Sequence, residues 1–365
     1  MKKIKVLHTE WSSGWGGQEI RIISEMEMMR NLGCELALAC REDSMILLKA
    51  QEKGFKTYIL PFARKSDFKT MWEIAKILRN EKYDIINTHS GIDTWCGGLG
   101  SLLSGAKFIR TRHLSTPIHP SRWNFINNLA DFIMTTGESV RETMIRDNRI
   151  NPAKIMSIPT GIDMGIFDKA KYNKDAMKEK YKIPKDKIII GNLGVLRYFK
   201  RQDIFIHIAR EIHKKYPNTC FVIAGDGDGK EWLKNLVVGG GEIEDASEYI
   251  KLLGHVANPA EFLSTLDVFM LTSDSHEGVP QSLMQALAME IVSIASDIGS
   301  IRDLHNGSNF VLTNNPNKEE FLEALEGILR GDLKVKPSRG FIIDNFSKEV
   351  MGERIAEVYW KVLER

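Results

Sequence analysis

A chain of 365 residues is too long for one hydrophobic core and calls for two domains. Its composition, 43% hydrophobic and 27% charged, is that of an ordinary globular protein, and a formal charge of +2 removes any global case for a nucleic-acid partner. The balance is uneven: residues 1–165 carry 23 basic against 18 acidic side chains and the remainder is slightly acidic. That excess fits an anionic acceptor or surface, or is simply a solvated face. Met1–Leu7 is too short in its apolar part for a signal peptide and reads as a first strand. No apolar run approaches the roughly 20 residues that cross a bilayer, so any membrane contact is expected to be peripheral. Cys34, Cys40, Cys96 and Cys220 lack metal-type spacing and read as reduced core thiols of a cytosolic protein.

In chain order, strand Ile4–Leu7 leads into a turn with Gly14, Gly16 and Gly17, then a helix over Glu19–Arg30. Such a turn brings backbone close to a ligand, or is a plain tight turn. Strand-like runs follow at 34–40, 56–60, 84–88, 107–111, 131–135 and 154–158. Helical patterns fall between them at 44–53, 66–80, 94–103, 122–128 and 139–148. Regular interleaving predicts a parallel, doubly wound sheet. His89 and His113 each follow a strand, at the edge where ligands of such sheets bind. Arg110, Arg112, His119 and Arg122 make the second of these loops basic. Phe62, Arg64, Lys65, Phe68, Lys69 and Trp72 mix aromatics with cations, the pattern of a half-buried amphipathic helix or of a patch lying on anionic lipid.

After Ser157–Asp163 comes a lysine-rich stretch, 168–187, with little apolar periodicity, which reads as a linker. Strands at 187–190, 219–224, 249–253, 267–271, 291–295 and 310–313 then alternate with helices at 202–216, 230–237, 259–264, 281–289 and 318–329, predicting a second sheet of the same kind. Gly239–Gly241 reads as a loop, and 348–363 as a closing amphipathic helix. The most informative stretch is Thr272–Gln285. A buried strand ends at Leu271, a polar turn carries Glu277, and Gly278-Val279-Pro280 opens a helix, with proline suited to its first position. The free N–H groups of Gln281 and Ser282 would face an anion there. Arg197 and Lys200, between the first strand and helix of the second sheet, are spaced to grip a diphosphate or are merely solvated.

Glu277 and Gln285 within EGVPQSLMQALA resemble the Glu-x7-Glu signature of the family 4 retaining glycosyltransferases, which have the GT-B fold, with Gln285 in place of the second Glu. Gly16-Gly17-Gln18-Glu19 is similar to that family's Gly-Gly-x-Glu loop, and Thr111-Arg112-His113 to its Thr-x-His. Pro159–Asp163 resembles its Pro-x-Gly-Ile-Asp segment. Gly194–Arg201 is similar to Gly-Arg-Leu-x-x-x-Lys-Gly, with Val195 at the usual Arg and Arg201 at a frequent Gly. Ala224–Asp228, Gly254–Val256 and Ala295–Ser300 match further turns, Glu290 and Val292 replacing a usual Gly and Pro.

The resemblance implies two Rossmann-like domains facing across a cleft: 1–165, on the acceptor side and joined by a returning helix at 346–365, and 166–345, which binds the nucleotide sugar. It implies transfer of a sugar from a nucleoside-diphosphate donor, of UDP or GDP type, to an acceptor hydroxyl with retained configuration. No metal or other cofactor is expected, and the leaving phosphate helps deprotonate the acceptor. Glu277, His113, Arg197 and Lys200 would be catalytic. Gly16, Gly17, Val256, Gly278, Gln281, Ser282 and Gln285 would bind the nucleotide sugar, with Gln285 on the ribose hydroxyls. Lipopolysaccharide, capsule or other glycoconjugate synthesis, on a glycan or glycolipid acceptor at the inner membrane face, is the expected setting. The alternatives are a nucleotide-sugar isomerase or hydrolase of the same fold, and a non-catalytic binding protein.

Overall fold

A computed structural model describes residues 3–113, 116, 118–119, 125–240, 244–275, 277–314 and 317–364. The chain divides into two compact units, residues 1–161 with 348–365, and residues 162–347. Both crossings lie side by side, because the Ile162 N–H donates to Phe346 O at 2.9 Å and Ile162 bridges Ser347.

The first unit holds strands β1 (Lys5–Glu10), β2 (Glu35–Cys40), β3 (Lys56–Ile59), β4 (Ile85–Thr88), β5 (Lys107–Arg112), β6 (Phe132–Thr135) and β7 (Ile155–Ser157). They pair in the order β3-β2-β1-β4-β5-β6-β7, all parallel. The second unit holds β8 (Ile188–Leu193), β9 (Thr219–Ala224), β10 (Ile250–Gly254), β11 (Val268–Leu271), β12 (Val292–Ser296) and β13 (Val311–Thr313), in the order β10-β9-β8-β11-β12-β13, again parallel. Helices cover both faces of each sheet, so β4, β9 and β11 bury every side chain. This is why β9 and β11 read as unbroken apolar runs with no alternation. Both units are thus doubly wound α/β sheets, as the alternation predicts. The helix Lys348–Leu363 packs on Gly17–Asn31 within the first unit through Met351, Ile355, Val358, Tyr359 and Val362.

Three expectations need correction, and one helix was not anticipated. Strand β1 runs on to Glu10, so His8 and Glu10 are strand residues where a loop was expected. The stretch 168–187 is no linker: Lys174–Lys180 is a helix capped by Asn173, and buried Lys178 donates to Lys185 O and Lys187 O. A helix at Arg339–Phe346 carries too little periodicity to be seen in the sequence, and Arg339 ties it to Phe167 O, Met164 O and Ala288 O. Of the segment expected as a helix over 122–128, the described residues are helical over Ile126–Leu129; Arg122, like Gly241 of the glycine loop, lies outside the described residues.

Arg201 and Glu290, the two positions where the resembling family has glycine, both have left-handed backbone, with φ of +49° and +57°. The backbone conformation that glycine serves is retained although the residue is not, and a side chain at positive φ costs about 1–2 kcal/mol. Arg201 recovers part of this through ion pairs with Asp203 at 3.0 Å and Asp274 at 3.2 Å. Exposed Glu290 has no hydrogen bond or ion pair from its side chain among the described residues. Glu290→Gly is therefore expected to raise stability by about 0.5–1 kcal/mol, read as a shift in the urea midpoint; an unchanged or lowered midpoint would refute the strain.

Candidate active site

In the second unit, three loops at the carboxyl ends of β8, β11 and β12 converge on Glu277. Its carboxylate is buried, and Oε1 accepts from Ser273 Oγ and from Lys200 Nζ, both at 2.5 Å. Oε2 makes no hydrogen bond among the described residues. The loop after β8 is locked to the loop after β11, since Thr272 Oγ1 donates to Lys200 O and Arg201 O and the Asp274 N–H donates to Phe199 O. The loop after β12 backs the same point. Gly299 has φ +56°, and a Cβ there would fall 1.9 Å from Glu277 O, so only glycine fits. Pro280 corrects another expectation: it is extended (φ −74°, ψ 121°) and precedes the helix, which starts at Gln281. Gln281 and Ser282 therefore occupy the first two helical positions, and their N–H groups have no partner among the described residues. Gly278, Gln281, Ser282 and Gln285 are all partly exposed, while Arg197 is exposed and unpaired among the described residues. One sheet edge thus gathers Arg197, Lys200, Glu277 and a helix N-terminus.

Beside it, the Gly194–Arg197 loop is zipped to the Gly225–Gly229 turn: Gly194 N–H to Ala224 O, Leu196 N–H to Asp226 O and Gly229 N–H to Leu196 O, each at 3.0 Å. A Cβ on Gly225 would lie 1.8 Å from Gly194 O, which accounts for that glycine. A largely apolar cavity of about 630 Å³ opens here, lined among others by Leu196, Ile223, Gly225, Lys230, Leu253 and Gly254. Val256 is not at its wall. Its side chain is packed in the core of the unit, leaving only its backbone for a ligand.

In the first unit, Gly16 caps the Gly17–Asn31 helix, and its N–H donates to Glu19 Oε2 at 2.8 Å. The glycine turn is anchored by Glu10, which sequence reading missed. Its buried carboxyl accepts from Trp11 N–H, Ser12 N–H, Gln18 Nε2 and Ser90 Oγ. Asp93, also buried, accepts from Thr9 Oγ1, His89 N–H and Ser90 N–H. Burial and the nearby Asp93 push Glu10 up to about 8, against the pull of its Ser90 and Ser12 donors. His113, half-buried after β5, is joined to His89, and His89 to His8, by ring-to-ring hydrogen bonds of 2.9 Å each. Below the glycine turn lies a wholly buried set: Arg21 pairs with Glu25 at 3.4 Å, and Glu25 Oε1 accepts from Asn87 Nδ2 and Tyr359 Oη. No periodicity marks these residues. The one signal in the chain is that polar side chains cluster at the carboxyl ends of β1, β4 and β5.

Comparison with known proteins places these two sets of residues in context. The family description "Glycosyltransferase Family 4" matches residues 15–165 and "Glycosyl transferases group 1" matches residues 173–348. The chain is 25% identical over 332 residues to the UDP-Gal:alpha-D-GlcNAc-diphosphoundecaprenol alpha-1,3-galactosyltransferase of Escherichia coli, covering 86% of this chain and 82% of that one. A glycosyltransferase from Rickettsia africae superimposes with TM-score 0.87 at 20% identity over the full length of both chains. Anabaena HepE in complex with UDP superimposes with TM-score 0.81 at 15% identity over 98% of this chain and all of the other.

The Glu10 environment gives a test independent of any substrate. Between the ordinary 4.5 and about 8, folded Glu10 holds a proton that the unfolded chain has released. Its contribution to stability is therefore lost progressively as pH rises through that window. The thermal midpoint of Glu10→Gln should fall less from pH 5 to pH 8 than that of the unaltered protein; parallel curves would show Glu10 to be ionised throughout.

Proposed function

The chain belongs to family 4 of the glycosyltransferases and has their GT-B fold, and from that premise we propose that it transfers a sugar from a nucleoside-diphosphate donor to an acceptor hydroxyl with retention of configuration. The observation that carries this reading is the buried Glu277 carboxylate, held by Lys200 and Ser273 four residues before a helix with free N–H groups. The second unit is the nucleotide-sugar domain. Arg197, Lys200 and the N–H groups of Gln281 and Ser282 take the diphosphate, stabilising the charge that grows on it as the glycosidic bond breaks. Glu277 orients the donor sugar, Gly278 lets backbone approach it, and Gln285 bonds the ribose hydroxyls, an amide both donating and accepting. The cavity beside Leu196 and Gly254 is roomy and apolar enough for a flat base, with the Val256 backbone at its margin. The names of the E. coli and Anabaena proteins mention UDP or UDP-galactose, and a UDP sugar is the donor we assign. The first unit, with Gly16, Gly17 and His113 at the edge of its own sheet, serves the sugar and acceptor end.

For the acceptor we propose a lipid-linked glycan at the inner membrane face, in lipopolysaccharide, capsule or related glycoconjugate synthesis. The E. coli relative is named for a diphosphoundecaprenol-linked substrate. No helix among the described residues is long and apolar enough to cross a membrane. The Phe68–Asn80 helix instead offers a surface contact. Met71, Ile74, Ala75 and Leu78 face inward, while Phe68 and Trp72 remain 75% and 52% exposed among Arg64, Lys65, Lys69 and Lys76. Two exposed aromatics close in sequence to these cations, of which Lys76 pairs with Glu73 at 3.0 Å, suit an anionic headgroup layer.

Glu277→Ala is expected to reduce transfer from the UDP sugar by about 100-fold or more while UDP affinity stays within a few-fold. Undiminished turnover would defeat the assignment, and NMR of the product anomeric proton tests retention directly. For the surface, Phe68→Ser/Trp72→Ser should weaken sedimentation with phosphatidylglycerol vesicles about tenfold without altering UDP affinity; equal sedimentation would dismiss the contact.

A further inference from the structure

Three histidines from adjacent strands form a continuous chain of rings in the first unit. His8 lies in β1, His89 directly follows β4 and His113 directly follows β5, neighbours in the order β1-β4-β5. His8 Nδ1 meets His89 Nε2 at 2.9 Å, and His89 Nδ1 meets His113 Nε2 at 2.9 Å. His8 and His89 are stacked at 5.2 Å with planes 10° apart, and both are buried. His113 is half-buried, and its Nδ1 is the outer end of the chain.

A neutral imidazole carries one N–H, and a ring hydrogen bond needs one donor and one acceptor. Two such bonds in series leave only two arrangements. In one, every ring is protonated at Nδ1 and each donates outward, ending with an N–H on His113 that points away from the chain. In the other, every ring is protonated at Nε2, each donates inward, and the last N–H belongs to His8. The two differ at the inner end. His8 Nε2 is buried and has no hydrogen-bond partner among the described residues. The inward arrangement leaves a proton donor stranded there, whereas the outward one leaves only a lone pair, the less rare of the two defects in protein interiors. All three rings are held neutral. Burial lowers His8 to about 3; burial, then the neighbouring His113 and His8 and Arg21, lower His89; and burial with Arg21, Arg112 and Arg110 lowers His113.

We propose that His8 and His89 are positioning residues that fix His113 as a neutral imidazole protonated at Nδ1, so that His113 meets its ligand as a hydrogen-bond donor. A histidine so held gives its N–H to an acceptor oxygen on the sugar and takes no proton from the attacking hydroxyl. This deepens the proposed function, on which the identity of the ligand rests; the tautomer itself does not depend on it.

Long-range proton–nitrogen NMR of the full chain with 15N-histidine reads each tautomer directly, with His8→Phe, His89→Phe and His113→Phe identifying the three rings among the nine histidines. The expected pattern near neutral pH is Nδ1–H at His8, His89 and His113. An Nε2–H or an imidazolium at His113 overturns the proposal. Kinetics supply the second readout. His8→Phe, which removes the first donor, should lower kcat about tenfold with UDP affinity unchanged, whereas His8→Asn, whose amide can still donate to His89 Nε2, should recover most of it. Equal loss in both variants would mean that His8 only fills space. If His113→Phe turns over normally while the Nδ1–H pattern is present, the sugar contact is refuted and the tautomer assignment stands.

Discussion

The ion pair between Lys200 and Glu277 is the interaction on which the second unit's site depends. A buried carboxylate without a partner is costly enough to take up a proton or to turn outward. Here Lys200 and Ser273 both reach Oε1, and the surrounding loops are fixed by backbone contacts that converge on the same few residues. Gly299 closes the back, since any side chain there would strike Glu277 O. The carboxylate is therefore aimed before any ligand arrives. Under the proposed reading, an arriving diphosphate competes with Glu277 for Lys200, and whatever it draws away frees a carboxylate oxygen for a sugar hydroxyl. Charge compensation within the protein thus resembles what the ligand supplies, which keeps the reorganisation on binding small.

How much of this was legible from the chain depends on the length scale of the interaction. The central strands among the described residues were readable because strands buried on both faces are short apolar runs between turn residues, whatever their neighbours. The Glu277 turn was readable for the same reason: strand, polar break and helix start are consecutive. The histidine chain was not, because His8 and His89 are 81 residues apart and His89 and His113 are 24 apart. Glu10 and His8 were hidden by a boundary error, since polar residues at the end of β1 look like loop until the sheet extends over them. The helix Lys174–Lys180 was misread for a related reason. Lysine is normally solvated, yet the Lys178 ammonium bonds two carbonyls of the chain that follows it.

Departures from a family pattern are informative when the backbone explains them. Arg201 and Glu290 stand where the resembling family has glycine, and both retain the left-handed backbone. The fold therefore requires a conformation at these positions and tolerates more than one residue in it. Arg201 offsets the strain through Asp203 and Asp274, and in doing so ties the loop after β8 to the loop after β11. Val195 differs: it is exposed on the loop, while the cation that could replace the usual arginine is Arg197, two places on. Its exposed guanidinium, unpaired among the described residues, remains available to an anion.

The two units present opposite electrostatics on similar sheets. The second unit gathers permanent charge at its edge: an exposed arginine, a lysine and an acid in contact, and a helix N-terminus. The first unit sets uncharged histidines and carboxyls raised toward protonation beside the buried arginines Arg21 and Arg110. Burial holds its histidines uncharged, with Arg21, Arg112 and Arg110 adding to this at His113, and burial pushes Glu10 and Asp93 toward their protonated forms. A diphosphate is bound through charge, whereas a sugar or an attacking hydroxyl is bound through directed hydrogen bonds that lose specificity if a full charge competes for them. Under the proposed reading, sugar transfer uses both kinds of surface, one at each sheet edge. The first unit's edge is the more demanding to assemble, because its polar groups are buried and must be held by one another. This is why it rests on residues drawn from β1, β4 and β5 at once, while the charged edge is made largely from consecutive loop residues.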